Sequence, residues 1–554
     1  MTRMISRVAA FSGLLAAIAP ASAEITGPIP LAWRWTEQTA AAPAGQPQVN
    51  DDSITIAVGG RIYNLDRVTG NLNWRYPAGE SISGAFRTGA VRSGNMVIAA
   101  GDDKSVYSVD ASNGQLLWQH LSDDPITSNA VVAGDYVVYV TSNQKLHALF
   151  LSDGKPAWQT PLTVAEAIHP HIEAYENTVI YSTPRGTLTA VDTTTQRNRW
   201  SQKFSQLSPR GGFTVAADRV YVNSFNFVIA LRANSGSLIW QNNAGSQLDI
   251  RPAASSDTIA AVTQNGGLVA YNASGRAIFG KPLQVGFPIA PPTFVGKYVC
   301  VATANGAINM VDVQAAAIIW SYVIPPITRA SNSGGSSAPA GGPPGLGGAA
   351  GGPGGSGAPG GFGAPGGFGA PGGQGAGGGQ GTAPTNQPTF SLASGQPVAV
   401  GNSLYVLTRE GSLLAFDKDL GIDLTPPDIS MVWPRPGEET AGRAPAEMVF
   451  KLEDLGIGIR TESVKVTING KEYIHKLSND GFVSVLIITG GANPAINNGR
   501  ALVKVTATDW LGNSKTAEFN LSIDNSLPPM GSPPRTNTGG AGGTGGGAGS
   551  GAIG

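Results

Sequence analysis

The sequence has little of what covalent or metal chemistry ordinarily needs. Cys300 is the one cysteine among 554 residues, which excludes an internal disulfide and a multi-thiolate metal site. Charged residues are only 13%, and 36 Lys and Arg face 37 Asp and Glu, so no excess of positive charge favours nucleic acid. After the N-terminal residues, no apolar run reaches the ~20 residues of a membrane-spanning helix. We therefore expect no nucleic-acid partner and no transmembrane segment.

The first 23 residues have the pattern of an export signal. Arg3 and Arg7 precede an apolar stretch from Val8 to Ile18, and Ala21-Ser22-Ala23 is a small-residue cleavage site. The apolar stretch is too short to span a bilayer as an anchoring helix. No cysteine follows the cleavage site, which disfavours a lipid anchor. The pattern predicts an extracytoplasmic protein, whether periplasmic, secreted or associated with the cell surface.

Two tracts are rich in glycine and build no predicted core. Residues 331–385 contain mostly Gly, Pro, Ala and Ser without the strict three-residue period of collagen, and residues 526–554 have a similar composition. We expect the first tract to be a disordered insertion and the second a disordered tail.

A repeat of about 40 residues runs through the rest of the first 420 positions. Its copies include NLDRVTGNLNW (64–74), SVDASNGQLLW (108–118) and ALRANSGSLIW (230–240). The aromatic residue that ends each copy lies 39 to 44 residues from the next, at Trp33, Trp74, Trp118, Trp158, Trp200, Trp240, Phe279 and Trp320. In GTLTAVD (186–192) the small Ala190 leaves room for a large aromatic side chain from a neighbouring sheet, so we interpret these aromatic residues as packing wedges.

An eighth copy, SLYVLTREGSLLAFD (403–417), lacks its final aromatic strand. That strand is available near the N-terminus, because Leu31-Ala32-Trp33 matches Leu72-Asn73-Trp74 in type and phase. The predicted fold class is all-β: an eight-bladed β-propeller over residues 24–424, closed by the N-terminal strand so that no blade stays unpaired.

The repeat NLDRVTGNLNW resembles the docking motif AxDxxTGxxxW of the quinoprotein, or PQQ-like, β-propeller superfamily, over roughly residues 30–420. Within the superfamily the chain is similar to compact, non-enzymatic propellers of the BamB type, which act in outer-membrane assembly. The resemblance implies an eight-bladed ring used as a protein-binding scaffold. The chain departs from that pattern in its further C-terminal domain and in lacking a lipobox cysteine.

Residues 425–525 change to about seven short alternating strands, with a two-residue Asn469-Gly470 hairpin turn, and predict an immunoglobulin-like sandwich. The strings DLGIGI (454–459) and ATDWLGN (507–513) look like those of bacterial Ig-like modules. Asp454, Asp509 and Asp524 at strand ends are either calcium ligands or turn-forming carboxylates, and the second interpretation is favoured.

The propeller channel holds the one polar constellation that we single out. Aligning the repeats on their second strands gives one equivalent position on the innermost strand to Arg87, Thr127, His169, Arg210 and Asp249, with His171 and Arg251 two residues further on. Facing the channel, five of these side chains would form a basic rim for an anion or for an acidic segment of a partner: Arg87, His169, His171, Arg210 and Arg251. Two alternatives remain open: a metal site of His169, His171 and Glu173, and solvated polar residues at a channel mouth.

The function that these observations favour is an exported, non-catalytic, monomeric scaffold that binds other envelope proteins or surface polymers, with no catalytic residue, cofactor or metal. One alternative is a quinoprotein oxidoreductase, for which the resemblance implies PQQ over a tryptophan, a vicinal cysteine pair, and Ca²⁺ held by Glu, Asn and Asp. Cys300 has no neighbouring cysteine. The other alternative is a carbohydrate-binding surface protein.

Overall fold

Strands make almost all of the regular structure. The computed structural model describes residues 25, 27–37, 41–86, 88–205, 207, 212–327, 390–478 and 481–531. Within these ranges eight four-stranded sheets and one nine-stranded sheet occur, and the one helical element is a 3-10 turn at Thr461–Ser463. The predicted all-β class with an eight-bladed propeller is confirmed. The predicted signal peptide (1–23) and insertion (331–385) lie outside the described residues.

Blades one to seven each take four consecutive strands, from the innermost to the outermost, beginning with β2; blade eight takes β30 to β32 and β1. The first seventeen strands are β1 (Leu31–Thr36), β2 (Pro43–Val49), β3 (Ser53–Val58), β4 (Arg61–Asp66), β5 (Leu72–Tyr76), β6 (Val91–Ser93), β7 (Met96–Ala100), β8 (Ser105–Asp110), β9 (Leu116–Leu121), β10 (Val131–Ala133), β11 (Tyr136–Val140), β12 (Lys145–Phe150), β13 (Leu162–Thr163), β14 (Ile172–Tyr175), β15 (Thr178–Ser182), β16 (Thr187–Asp192) and β17 (Arg197–Lys203). The ring continues with β18 (Phe213–Ala216), β19 (Arg219–Ser224), β20 (Phe227–Arg232), β21 (Leu238–Asn243), β22 (Ala253–Ala254), β23 (Thr258–Val262), β24 (Gly267–Asn272), β25 (Leu283–Gln284), β26 (Thr293–Val295), β27 (Tyr298–Ala302), β28 (Ala307–Asp312), β29 (Ala317–Val323), β30 (Val398–Val400), β31 (Ser403–Leu407) and β32 (Ser412–Asp417).

The N-terminal strand closes the ring, as the sequence predicts. β1 pairs antiparallel with β32, and Trp33 lies opposite Ala415 in the register. Blade eight therefore gains its fourth strand from the other end of the propeller sequence, and no blade is left with three strands.

A β-bulge precedes most of the docking tryptophans. In blade two Ser108 pairs with Trp118 but Val109 pairs with Leu116, so Leu117 has no partner in the register. The same shift occurs before Trp74, Trp200, Trp240 and Trp320. A bulge bends its strand and redirects the neighbouring side chain, here toward the next blade.

Ala190 lies in the core between blades four and five. It pairs with Trp200 of its own blade in the register, and both belong to one cluster of buried residues with Phe213 of blade five. A small residue at this position leaves room for the indole to lean past its own sheet.

Six tryptophans dock on the following blade in one way. Each indole Nε1 donates a hydrogen bond of 2.8–3.2 Å to a backbone carbonyl in the next blade's turn: Trp33 to Arg67, Trp74 to Ala111, Trp118 to Leu151, Trp158 to Thr193, Trp200 to Ala233 and Trp240 to Ala273. The rings of five of them lie against a glycine of that turn; at Gly154, where φ is +69°, a Cβ would stand 2.4 Å from the Trp118 ring. Glycine suits this turn position because φ is positive and the indole leaves no room for a side chain.

Two of the aromatic positions differ from the six. Phe279 has no N–H to donate and packs against the valine-rich core between blades six and seven. Trp320 is fully buried at 0% exposure, and its Nε1 donates to the carbonyl of Ile457, 2.8 Å away, which belongs to the region beyond the propeller.

That region, residues 428–531, is called the C-terminal module below. Its strands are β33 (Asp428–Trp433), β34 (Glu439–Glu453), β35 (Lys465–Ile468), β36 (Lys471–Glu472), β37 (Lys476–Leu477), β38 (Phe482–Ile487), β39 (Gly499–Thr508), β40 (Ser514–Ile523) and β41 (Pro529–Gly531). The sheet curls over a core that includes Phe450, Val466, Val485 and Val503, because the long β34 pairs first with β40 and then with β38.

The result is a sandwich-like module, and two details bear on its prediction. Asn469 and Gly470 both have positive φ, 50° and 80°, between the paired β35 and β36, which confirms the predicted hairpin turn. The last strand, β41, lies beyond the expected boundary at residue 525, because its backbone pairs in parallel with β34. No helix within the described ranges is long and apolar enough to cross a membrane.

Candidate functional site

Of the five residues predicted to form a basic rim, the structure describes His169, His171 and Arg251. Arg87 and Arg210 lie outside the described residues. His169 is buried at 5% exposure, and its Nδ1 lies 2.9 Å from Ser182 Oγ. Burial lowers the pKa of His169, which favours the neutral ring. His169, His171 and Arg251 precede the innermost strands of their blades rather than lying on them, since β14 begins at Ile172 and β22 at Ala253.

Two predicted residues, His171 and Arg251, do come together. Glu173 Oε1 lies 2.7 Å from His171 Nε2 and accepts a hydrogen bond of 2.9 Å from the Arg251 guanidinium. Arg251 also donates to Gln396 Oε1 at 2.6 Å, and Glu173 Oε2 accepts the N–H of Val215. We call His171, Glu173, Arg251 and Gln396 the channel cluster; it connects blades four, six and eight.

The channel cluster is electrically compensated. Burial by itself acts to raise the pKa of the Glu173 carboxyl, but the hydrogen bond from His171 and the charge of Arg251 hold that pKa below its usual range. The Arg251 side chain is 18% exposed and the Glu173 side chain 16%, so the pair is largely withdrawn from water. Arg251 is thus engaged within the protein, and the predicted anion-binding role loses one of its cations.

Sequence reasoning missed Gln396, although a signal for it exists. Gln396 stands eight residues before Leu404 on the second strand of blade eight, as Arg251 stands eight before Ile259 and His171 eight before Val179. Extending the repeat alignment to the eighth copy would have placed Gln396 with His171 and Arg251.

The channel cluster does not fit a metal ion or a PQQ–Ca²⁺ pair. The two imidazoles of the predicted metal site have different partners, because His169 bonds Ser182 while His171 bonds Glu173. The guanidinium of Arg251 lies beside Glu173, the carboxylate that would have to bind the cation. Cys300 is a lone buried thiol whose pKa burial raises to about 12, so it lacks both a vicinal partner and thiolate character.

The C-terminal module contacts the propeller between blades seven and eight. Besides the bond from Trp320 to Ile457, Tyr322 Oη donates to the carbonyl of Leu455 at 3.2 Å, and the N–H of Leu31 donates to the carbonyl of Gly456 at 3.0 Å. The DLGIGI string therefore forms the docking loop, which we define as residues 454–459. A cavity of about 660 Å³ lies beside it, between blade seven and the module.

Of the predicted calcium ligands, Asp454 and Asp509 lie together but Asp524 does not join them. Asp524 is instead a turn carboxylate that accepts the N–H of Ser526. The third carboxylate is that of Asp423, which sequence reasoning missed because it lies in the connector after blade eight, outside the module. We call Asp423, Asp454 and Asp509 the aspartate triad.

The outer edge of blades one and two carries exposed leucines. On the outermost strands β5 and β9, Leu72, Leu116 and Leu117 are 46–48% exposed. Two positions before the docking tryptophan, blade four has Asn198 where blades one and two have Leu72 and Leu116. β5 and β9 are the last strands of their sheets, so blades one and two present an apolar edge strand each.

A ring of eight blades, six of them docked on the next by the tryptophan of a 40-residue repeat, defines a β-propeller of the PQQ-like type. The sequence model of the family described as outer membrane protein assembly factor BamB matches residues 30–224 and 224–343, more than half of the chain. The chain belongs to this family. The match ends before the C-terminal module.

Individual relatives carry the same description at low identity. The chain is 24% identical over 276 residues to outer membrane protein assembly factor BamB of Yersinia pestis, covering 46% of this chain and 70% of the relative. It is 29% identical over 178 residues to that of Moranella endobia, covering 28% of this chain and 44% of the relative. The crystal structure of BamB from Moraxella catarrhalis superposes with a TM-score of 0.47 at 14% identity, over 70% of this chain and 97% of that one.

Proposed function

We propose that this protein is a non-catalytic scaffold of the bacterial envelope that binds other proteins, and that it contacts the outer-membrane protein assembly machinery or its clients. Family membership supports the general class, because the matching relatives are described as outer membrane protein assembly factors. The proposal places the protein on the extracytoplasmic side, in agreement with the predicted export signal.

The observation that carries the proposal is the apolar outer edge of blades one and two. Single exposed leucines are common on protein surfaces and carry no meaning alone. Leu72, Leu116 and Leu117 share two neighbouring outer strands, and Val68 and Leu121, at 55% and 68% exposed, extend the edge. An extended segment of a partner can pair with such an edge strand through its backbone while its apolar side chains contact the leucines.

The channel cluster also supports a non-catalytic scaffold. Its acidic and basic side chains in the described cluster satisfy one another, so they offer little to a substrate or prosthetic group. The outer surfaces carry large exposed apolar side chains, which can supply binding energy for a partner.

Site-directed photocrosslinking tests the proposal in the source bacterium. A photoreactive amino acid at position 116, on the outer strand of blade two, is expected to capture an outer-membrane assembly protein, identified by mass spectrometry. The same amino acid at position 198, on the polar outer strand of blade four, is the matched control. Equal products at both positions, or none at position 116, would contradict a partner site on this edge.

A disruptive variant gives a second measure. We expect the double variant Leu116→Glu, Leu117→Glu to lose at least tenfold in affinity for the captured partner, since it places two charges in the contact. Because both side chains are exposed, thermal stability should stay nearly unchanged.

Calorimetry separates the scaffold from a quinoprotein enzyme. In buffer that already contains Ca²⁺, PQQ is expected to give no binding heat, because the channel cluster pairs its carboxylate with Arg251. Micromolar PQQ binding accompanied by dye reduction with an alcohol or aldose would overturn the non-catalytic assignment.

A further inference from the structure

Two imidazoles meet at the contact between blades two and three. His120 lies on β9, the outermost strand of blade two, His147 lies on β12 of blade three, and both line one cavity of about 310 Å³. Tyr139, which is 0% exposed, contacts both rings: its centroid is 5.0 Å from that of His147, in a stacked arrangement, and 6.5 Å from that of His120. We call His120 and His147 the imidazole pair.

The two preceding contacts of the ring hold other aromatic residues at these positions. A residue two places after the docking tryptophan of one blade meets a residue eleven places before the docking tryptophan of the next. Between blades eight and one these are Trp35 and Tyr63, with ring centroids 5.0 Å apart, and between blades one and two they are Tyr76 and Tyr107, 5.8 Å apart. The same count gives the imidazole pair between blades two and three. A contact that elsewhere stays uncharged can therefore take up protons here.

The surroundings of the imidazole pair disfavour positive charge. Burial lowers the pKa of His120, against the opposing charge of Asp123. Burial, followed by the charges of His120 and Lys145, lowers the pKa of His147 to about 4. The carboxylates of Asp123 and Asp124 oppose this shift without cancelling it. Both rings are therefore neutral near pH 7.

The other groups around the imidazole pair bring no further negative charge. His147 Nε2 lies 3.1 Å from Thr141 Oγ1, and Lys104 Nζ donates to the backbone carbonyl of Asp123 at 3.1 Å. The outer part of blade three lines the cavity with residues that do not titrate: Pro156, Trp158, Gln159 and Pro161. A proton on either imidazole thus finds no carboxylate beyond Asp123 and Asp124 among these neighbours.

We propose that the contact between blades two and three is an acid-sensitive contact, which opens when the imidazole pair takes up protons. Once the contact is open, water reaches both imidazoles, and a histidine in water takes up its proton near pH 6.5. In the closed contact His147 takes up its proton only at lower pH. The stability of the contact is therefore complete above about pH 6.5 and is lost progressively as the pH falls toward 4.

Opening of this contact would displace the apolar edge. Leu116, Leu117 and Leu121 lie on β9 with His120, and Leu121 also lines the cavity. Acid would therefore move the strand to which a partner binds under the proposed function, and release of the partner is the expected consequence. This consequence rests on the proposed function, whereas the acid-sensitive contact itself does not.

Hydrogen exchange measured by mass spectrometry tests the contact in the mature, full-length protein. Exchange at pH 7.5 and pH 5.0 is compared after correction for the intrinsic exchange rate. We expect the protection of residues 116–122 and 136–150 to fall at least tenfold at pH 5.0, since one imidazole with a pKa near 4 when closed and near 6.5 when open shifts the balance about thirtyfold there. Residues 31–36 and 61–66, which hold Trp35 and Tyr63 at the contact between blades eight and one, should change less than threefold.

Three variants separate titration from packing. The double variant His120→Gln, His147→Gln removes both imidazoles, and its protection over 116–122 and 136–150 should differ less than threefold between the two pH values. The double variant His120→Tyr, His147→Tyr copies the pair found between blades one and two and should respond in the same way. His475→Gln, which removes an imidazole of the C-terminal module, is the matched control and should keep the acid response of the wild type.

Three results would overturn the acid-sensitive contact: no loss of protection at pH 5.0, an equal loss at the contact between blades eight and one, or an acid response retained in both double variants. The partner captured at position 116 provides a separate measurement. Its affinity should fall at least tenfold between pH 7.5 and pH 5.0 for the wild type and stay constant for the glutamine variant. Hydrogen exchange needs no partner, so a normal acid response with pH-independent affinity would contradict the partner site on β9 and leave the acid-sensitive contact supported.

Discussion

The contact between blades seven and eight differs from the other contacts around the ring. At six contacts a tryptophan of one blade docks on the turn of the next, as Trp118 does on Leu151 and Gly154. Between blades seven and eight, Trp320 docks on Ile457 of the C-terminal module instead. Trp118 keeps 8% of its surface exposed, whereas Trp320 is completely buried. The docking tryptophan of the repeat is thus kept in blade seven, but it contacts the C-terminal module instead of the next blade.

The replacement makes the module part of the ring's structure. Trp320 and Tyr322 contact Phe416 of blade eight, with ring centroids 5.4 and 4.8 Å apart, and both also bond the docking loop. One aromatic cluster thus serves two blades and the module at once. A substitution that displaces the docking loop should consequently lower the stability of the propeller.

The largest expected effect is that of Trp320→Ala compared with Trp118→Ala. Both variants remove a wedge from a packed contact and should cost about 3–5 kcal/mol of unfolding free energy. We expect the Trp320 variant to lose more, because its side chain is fully buried and holds the module as well. Urea unfolding measures the difference, and an equal or smaller loss for Trp320 would show that the contact with the module adds nothing.

A crowded glycine probes the docking loop with a smaller change. A Cβ on Gly456 would lie 2.1 Å from Asp423 Oδ2, so Gly456→Ala must displace the loop or the carboxylate. We expect a loss of about 1–3 kcal/mol. Gly79→Ala is the control, since a Cβ at Gly79 meets no atom within 4 Å. Matching melting curves for the two variants would mean that the docking loop is free to adjust.

One hydroxyl gives a finer test of the same contact. Tyr322→Phe removes the bond to the Leu455 carbonyl from a buried site and should cost about 1 kcal/mol. Tyr271→Phe in blade six, whose Oη makes a longer bond of 3.4 Å to Asn243, should cost less. Chemical denaturation measures the loss of unfolding free energy in each variant. A larger loss for Tyr271→Phe would show that the hydrogen bond within the propeller stabilises the protein more than the bond to the docking loop.

The smallest predicted effect is an increase in stability, expected for a substitution at Phe279. Phe279 holds the docking position of blade six without an indole N–H. Phe279→Trp would supply a donor to the turn of blade seven, and we expect an increase of about 0.5–1 kcal/mol in unfolding free energy. A loss would indicate that the short strand β25, Leu283–Gln284, holds the position too close for a larger ring.

The sequence was sufficient for features that repeat. The spacing of the aromatic residues predicts the blades, the match between residues 31–33 and 72–74 predicts the closing strand, and Asn469-Gly470 predicts its hairpin. Each of these signals is local or recurs every 40 residues or so, and an internal comparison reveals it.

Contacts that occur once could not be predicted in this way. Asp423 joins Asp454 and Asp509 only because the docking loop folds back on the connector, and nothing in the spacing marks that encounter. The pairing of Arg251 with Glu173 is a similar case. The repeat alignment does place His171 and Arg251 together, but as two cations of a basic rim. Glu173, which pairs with both, enters the prediction only in the alternative of a metal site. Unique long-range contacts have no counterpart elsewhere in the chain to compare with.

The closing strand has a consequence for how the chain is made. β1 is among the first segments to leave the ribosome, but its partner β32 begins only at Ser412, and the docking loop that bonds Leu31 follows later still. At 5–20 residues per second the wait is of the order of a minute or less, during which blade eight does not exist. A chain whose translation ends before β32 leaves β1 without a pairing strand and the ring open. Closure therefore works as a length check: only a polypeptide translated past β32 can pair its first strand.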